Sequence, residues 1–316
     1  MEIFVEFLAF FSSIVLLALA SQIVIKNAAK LAKTTGLGEI VIGFILLSVS
    51  TSIPEIGVAI FSVLSKNTEL TIGNLLGANI INVCFIIGLG VAISKKPIKI
   101  KMGEMITLSL ILFFSSTIPL ALFVLGNVGY VVGISLLAIF FGFCIFSVKK
   151  RINLKERKEK KSDIKKSFVW LVFGLFFVIY SSMFVVDLAS SISKLVGISQ
   201  TVIGATIVAL STTLPELSVC LTAIKEGHPH LTLGDTIGSC LTNITLILGV
   251  VLILSEFRVD LSAFSTLIAF ASASSLLLLY FLADKILTRK DGLILLSVFL
   301  LYLFLIYSGR VIEKIA

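Results

Sequence analysis

Ten apolar stretches, each long enough to cross a lipid bilayer, constrain this 316-residue chain more than any other feature. They lie at about 3–25, 40–64, 70–93, 105–125, 128–148, 168–188, 201–224, 231–254, 261–282 and 293–308. A helix of about 20 apolar residues spans the hydrocarbon core. Lipid offers the backbone no other hydrogen-bond partner, so each stretch reads as a transmembrane helix. The predicted fold class is therefore all-α, a membrane protein of ten transmembrane helices. With 58% hydrophobic residues, 14% charged residues and a mean hydropathy of +1.13, the chain cannot present a water-soluble surface. The ten helices take up about 200 residues and leave little for a separate catalytic or nucleic-acid-binding domain. Glu2 and Glu6 stand where a secretory leader would carry Lys or Arg, so the first stretch is expected to be a retained helix.

The net charge of +8 is concentrated between the apolar stretches. Residues 149–167 include Lys-Lys-Arg-Ile-Asn-Leu-Lys-Glu-Arg-Lys-Glu-Lys-Lys and cannot enter hydrocarbon, so they divide the chain into two halves of five helices. If that linker is cytoplasmic, 21 of the 26 Lys and Arg fall on its side, and only Lys66, Lys194, Arg258, Arg310 and Lys314 remain for the other. The positive-inside rule then predicts a plasma-membrane protein with both termini outside and a cytoplasmic central linker. The basic pI is a topology signal rather than a nucleic-acid site. Cys84, Cys144, Cys220 and Cys240 lie in apolar stretches without CxxC spacing, which predicts small buried side chains, with neither disulfide nor zinc.

The two halves repeat each other. Val41-Ile42-Gly43 matches Val202-Ile203-Gly204, and Ser50-Thr51-Ser52-Ile53-Pro54-Glu55 matches Ser211-Thr212-Thr213-Leu214-Pro215-Glu216. Leu70-Thr71-Ile72-Gly73 matches Leu231-Thr232-Leu233-Gly234, and Gly77 and Asn82 match Gly238 and Asn243. Every pair is 161 apart, without a gap. An odd number of crossings per half means that the second copy enters the membrane from the opposite side. The expected organisation is a first five-helix repeat over 1–148 with the matching segment at about 39–93, the linker at 149–167, and an inverted second repeat over 168–316 with its segment at about 200–254. A site built from both halves can open to either face at similar energetic cost, which suits alternating access.

Glu55 and Glu216 lie about fifteen residues into their stretches, near mid-bilayer depth at roughly 1.5 Å per residue. Each carboxylate costs about 2.5–3.5 kcal/mol to place there, which argues for function over packing. Pro54 and Pro215 precede them and donate no backbone hydrogen bond, so the carbonyls of Ser50 and Ser211 are expected to be free beside the hydroxyls of Ser50, Thr51, Ser52, Ser211, Thr212 and Thr213. The following helices open with Gly73-x-x-x-Gly77 and Gly234-x-x-x-Gly238, spacings that let backbones approach closely. On one face of them fall Asn74, Ala78 and Asn82, and likewise Asp235, Ser239 and Asn243. The inventory is all oxygen, with no deep histidine, and suits a hard cation. Two glutamates neutralise one divalent ion and, with carbonyls, approach the six to eight oxygens at about 2.3–2.6 Å that Ca²⁺ takes. Na⁺ of similar size could compete for the same ligands.

These residues resemble the two alpha-repeats of the cation/calcium exchanger superfamily, most closely its prokaryotic sodium/calcium exchangers. The resemblance rests on Gly43…Ser50-Thr51-Ser52-Ile53-Pro54-Glu55 with Gly73-Asn74…Gly77-Ala78-Asn79-Ile80-Ile81-Asn82, and on Gly204…Ser211-Thr212-Thr213-Leu214-Pro215-Glu216 with Gly234-Asp235…Gly238-Ser239-Cys240-Leu241-Thr242-Asn243. It implies exchange of several Na⁺ for one Ca²⁺ at sites lined by the second, third, seventh and eighth helices. It further implies that Glu55 and Glu216 bridge Ca²⁺ and that Thr51 and Thr212 add carbonyls. Ser52, Thr213 and Ser239 would give hydroxyls to flanking Na⁺ sites, Asn82 and Asn243 would line the middle, and the backbone oxygens of Ser48 and Ala209 would reach the outer Na⁺ ions. Ala78 replaces the usual serine and Asn243 a frequent Asp, so a different Na⁺ count, or a proton, is an alternative.

The expected function is a secondary active Na⁺/Ca²⁺ antiporter, not an enzyme, with no bound cofactor. Its partners are the transported ions and the bilayer, with no nucleic acid and no obligatory protein partner. H⁺/Ca²⁺ exchange through the same glutamates and, more remotely, a cation channel are the alternatives. Asp235 is a further candidate carboxylate near a helix mouth, expected to be a solvated helix-start acid ahead of the alternative of an ion-gathering ligand, and His228 and His230 around Pro229 are expected to be exposed loop residues.

Overall fold

The computed structural model describes residues 2–32, 47–100, 102–125, 128–149, 161–254 and 261–313. Gly43 and residues 150–160 of the linker lie outside them. The first half contains α1 (Glu2–Ala32), α2 (Ser48–Thr51), α3 (Ile53–Leu64), α4 (Thr68–Ile93), β1 (Ile98–Lys99), α5 (Met102–Leu125) and α6 (Tyr130–Lys149). The second half contains α7 (Lys161–Val196), α8 (Gln200–Thr212), α9 (Leu214–Glu226), α10 (Pro229–Leu254), α11 (Leu261–Ala283), β2 (Ile286–Leu287) and α12 (Arg289–Glu313). Helix thus falls on every predicted stretch. Two ends differ from expectation, since α7 begins at Lys161 rather than 168 and α1 runs on to Ala32. Hydropathy detects only the lipid-facing part of a helix, and Lys and Ala continue it readily into water.

Two of the stretches are not single helices. The chain turns at Ser52 (φ −77°, ψ 7°) between α2 and α3, and at the equivalent Thr213 (φ −85°, ψ 3°) between α8 and α9, where the axes bend by 42°. Pro54 and Pro215 occupy the first turn of the new helices, where a missing N–H costs nothing. Among the described residues, four helices are long and apolar enough to cross a membrane alone, and α8 with α9 makes a fifth span.

The packing obeys the same pairing as the sequence. α1 lies along α7, and α5 along α11, so each outer helix meets its own counterpart. The end of α4 packs on α12, and the end of α10 on α6. The first of these contacts closes through Gly88 and Gly292 and the second through Gly249 and Gly133, where backbones touch. In lipid no hydrophobic force separates helix from solvent, so such close contacts carry the association. The inner helices α4 and α10 are largely buried, whereas α7 and α12 expose Trp170, Phe173, Phe176, Leu300 and Phe304 outward.

One feature is not helical. β1 and β2 form a two-residue antiparallel ladder, Ile98 opposite Leu287 and Lys99 opposite Ile286, extended by a 2.8 Å bond from Ile100 N–H to Lys285 O. Nothing in the hydropathy pattern announces two residues of strand. The ladder ties the loop after α4 to the loop after α11, and a cavity of about 810 Å³ joins both Lys95 and Lys99 to Lys225 in the last turn of α9 and Gly227 in the loop that follows it. The three basic loops therefore share one face of the molecule.

Candidate cation-binding site

The site lies where the two turns meet the inner helices. Glu55 falls in the first turn of α3 and Glu216 in the first turn of α9. A helix N-terminus carries partial positive charge, which favours a carboxylate there, while the preceding segment ends in carbonyls that favour a cation. A broken span thus presents both groups at one depth.

The inner helix supplies the opposite wall. Gly73 and Gly77 of α4 lie so close to α8 that a Cβ on either would overlap the carbonyl oxygens of Thr201 or Ala205, and one on Gly204 would overlap that of Leu70. No larger residue allows this crossing. It brings Asn74 to Thr212, whose hydroxyl donates to Asn74 Oδ1 at 3.2 Å. The equivalent bond runs from Thr51 to Asp235 Oδ1, also at 3.2 Å. Each pair consists of positions 161 apart from those of the other.

On the Asp235 side, Thr51 Oγ1 is also 3.3 Å from Ser239 Oγ and 3.3 Å from Ser48 O. Ser239 in turn donates to Glu216 Oε1 at 3.2 Å and lies 3.5 Å from Ser48 O. Thr51 has one proton for these acceptors, so the cluster holds more acceptors than donors. On the Asn74 side, Thr212 and Thr213 donate to Ala209 O at 3.3 and 2.9 Å. Glu55 belongs to this side, near Thr212, and within electrostatic range of Glu216.

Glu55, Glu216, Thr51, Ser52, Asn82, Thr212, Ser48, Ala209 and Ser239 are completely buried, and Thr213 and Asn243 nearly so. Among the described residues, Glu55 Oε1 and Oε2, Glu216 Oε2, Ser52 Oγ, Asn243 Oδ1 and both amide atoms of Asn82 lack a hydrogen-bond partner. Unpaired polar atoms are expensive in a buried site, and this concentration fits a ligand made of cations. No three His, Cys, Asp or Glu converge among the described residues, so any ion here is held by carboxylates mixed with hydroxyls, amides and carbonyls.

A family model described as sodium/calcium exchanger protein matches residues 5–149 and again 166–308. The chain belongs to that family. Its members are transporters, and this chain is accordingly a multi-pass membrane antiporter for Ca²⁺ and a second cation. Sodium/calcium exchanger MaX1 of Methanosarcina acetivorans is 29% identical over 96% of this chain and 99% of its own. Inner membrane protein YrbG of Escherichia coli is 26% identical over 75% of this chain and 76% of its own. A solved structure of the sodium-calcium exchanger NCX_Mj, soaked with Na⁺ and Sr²⁺, superposes with a TM-score of 0.72 at 26% identity, covering 94% of this chain and 97% of that one.

Two expectations about the exchanger's site change. Asp235 is not solvated but fully buried, because α10 crosses the molecular interior from its first turns. The carbonyls of Ser50 and Ser211 are not free, since backbone N–H groups of the capping turns donate to them; a tight turn restores what each proline removes. The carbonyls of Ser48 and Ala209 accept, at 3.0 Å each, the N–H groups of Ser52 and Thr213, in addition to the threonine hydroxyls named above. Sequence reasoning missed Asn79, which donates to Cys240 O at 3.1 Å and accepts from Asn243 Nδ2 at 3.0 Å. Residues 79 and 240 are equivalent positions, so the pseudo-two-fold passes between them. The 161-residue offset was the signal that could have identified this pair. Cys84, Cys220 and Cys240 are buried and free, and Cys144 is half-buried. His228 is exposed, as expected, while His230 is half-buried.

Proposed function

We propose that this exchanger extrudes Ca²⁺ from the cytosol in exchange for Na⁺, by alternating access of one site. The observation that carries the reading is the pair Glu55 and Glu216, both fully buried, near each other, with three of four carboxylate oxygens unpartnered among the described residues. Two carboxylates balance Ca²⁺, and the hydroxyls and amides around them complete a hard-cation shell. Mg²⁺ fits less well because it gives up its waters reluctantly. Thr51, Ser52, Asn82, Thr212, Thr213, Ser239, Asn243 and the carbonyls of Ser48 and Ala209 would be the remaining ligands. The relative MaX1 is named a sodium/calcium exchanger, which supports the choice of ions.

The ten helices cross the plasma membrane as two inverted repeats, 1–148 and 168–316, rocking about the shared centre. The positive-inside rule supports a cytoplasmic position for the face that gathers Lys95, Lys96, Lys99, Lys225 and Lys285, and with it a cytoplasmic 149–167 linker and external termini. Exchange of three Na⁺ for one Ca²⁺ would carry one net charge and respond to voltage.

Radiocalcium uptake into proteoliposomes loaded with Na⁺, with the pH gradient collapsed by an ionophore, tests the coupling. Uptake should require the outward Na⁺ gradient. Uptake that follows a proton gradient and ignores Na⁺ would replace this reading with H⁺/Ca²⁺ exchange. Flux with no exchangeable ion on the far side would replace it with a channel.

A further inference from the structure

The two sides of the site, equivalent by symmetry, are not equivalent in chemistry. On one side stand Asp235, Ser239, Thr51 and the Ser48 carbonyl, next to Glu216. Their counterparts on the other are Asn74, Ala78, Thr212 and the Ala209 carbonyl, next to Glu55. The first side has a second carboxylate and a second hydroxyl that the other lacks.

We propose that Asp235 is a third carboxylate of the transport site, forming with Ser239, Thr51 and the Ser48 carbonyl a monovalent-cation subsite that the Asn74 side does not match. The proposal rests on the exchange reading above and adds a ligand to it. Asp235 is fully buried; its Oδ1 accepts from Thr51, while Oδ2 has no partner among the described residues. A buried carboxylate without a counter-charge is among the costliest groups a protein can hold, so an ion that enters with the cycle is the economical partner. Thr51 Oγ1 lies within 3.3 Å of Asp235 Oδ1, Ser239 Oγ and Ser48 O, and Ser239 Oγ lies 3.5 Å from Ser48 O, so the four oxygen-bearing groups form one contiguous cluster. The central pair Glu55 and Glu216 already balances a divalent ion. One further negative charge, offset to one side and not converging with the other two into a three-acid cluster, calls for one positive charge.

Asymmetry has a consequence for order. The Asp235 subsite fills at a lower Na⁺ concentration than its counterpart, where Asn74 offers an amide and Ala78 no ligand. Asp235→Asn keeps the shape and the acceptor for Thr51 and removes only the charge. In proteoliposomes, the Na⁺ concentration for half-maximal Ca²⁺ exchange should rise about tenfold in Asp235→Asn, with the Hill coefficient for Na⁺ down by about one and half-saturation by Ca²⁺ within about threefold of wild type. Thermal unfolding of the purified protein in NaCl against choline chloride at equal ionic strength gives a readout independent of transport. Half-maximal Na⁺ stabilisation should shift by a similar factor in the variant.

Unchanged Na⁺ half-saturation in both measurements would overturn the subsite, as would equal losses of Na⁺ and Ca²⁺ dependence. Wild-type exchange that ignores Na⁺ would end the coupling reading, while the thermal titration would still decide whether Asp235 holds a monovalent ion. Asn74→Asp, which leaves Asp235 in place, should lower the Na⁺ half-saturation by giving the second side a charge. If Asp235→Asn does not fold, no change in Asn74→Asp overturns the asymmetry.

Discussion

Gly77→Ala tests whether the helix crossing, rather than the ligands alone, makes the site. A methyl group at Gly77 would stand 2.6 Å from Ala205 Cα and 2.7 Å from Ala205 C, both backbone atoms that cannot rotate away. Ordinary contact begins near 3.4 Å and the Ala205 carbonyl oxygen is nearer still, so α4 and α8 must part by no less than about 0.8 Å. Asn74 lies one turn from Gly77 on the same helix, and its bond to Thr212 is 3.2 Å long. Opening the crossing lengthens that bond to about 4 Å, beyond hydrogen bonding. Ligand geometry in binding sites must hold within about 0.5 Å, and a misplacement near 1 Å costs on the order of 100-fold in rate. We therefore expect Gly77→Ala to reduce Na⁺-driven radiocalcium uptake about 100-fold, although no proposed ligand is changed. Overpacking also destabilises by about 1–3 kcal/mol, so the variant should first be shown monodisperse in detergent. A well-folded Gly77→Ala with wild-type rate and wild-type Ca²⁺ half-saturation would refute the argument that close backbone contact sets the ligand positions.

Glu55→Gln and Glu216→Gln should each abolish Ca²⁺ exchange in proteoliposomes, because one remaining carboxylate at the centre, with Asp235 offset to one side, leaves the divalent ion undercompensated in a dry site; wild-type flux in either would remove the central pair from the mechanism. Ca²⁺ should raise the unfolding temperature of the purified protein, with about 2.7 kcal/mol gained at 100 times its dissociation constant, and equal Mg²⁺ should not. For topology, single cysteines at Lys96 and Lys285 should react with a membrane-impermeant maleimide from one face and a cysteine at Lys66 from the other; labelling of all three from one side would contradict the crossing pattern. Cys84, Cys220 and Cys240 are buried and should contribute little background in that assay.

Much of this molecule is written locally. Runs of apolar residues oblige helices because lipid supplies no hydrogen-bond partner, and that rule needs no knowledge of neighbours. The 161-residue repeat then pairs Thr51 with Thr212 and Glu55 with Glu216 within the sequence itself. What a local rule cannot assign is the far side of a contact. Asp235 reads as a surface acid because it sits only six residues from Pro229 at the start of its helix. In the folded protein, α10 is covered from those first turns onward, and the residue is sealed against Thr51. The carbonyls beside Pro54 and Pro215 read as free because a proline removes a donor, yet the tight turns at Ser52 and Thr213 supply another.

Helical character, the number of apolar stretches, their two-fold order and the acids at mid-depth are thus properties of the chain, since each depends on residues near one another or on the contrast between water and hydrocarbon. The division of the site into a charged side around Asp235 and a neutral one around Asn74 was decided by the tertiary structure. So were the contact of residues 79 and 240 at the axis and the β1–β2 ladder. Each joins groups far apart in the chain, and only helix crossings close enough for glycine backbones to touch bring them within bonding distance.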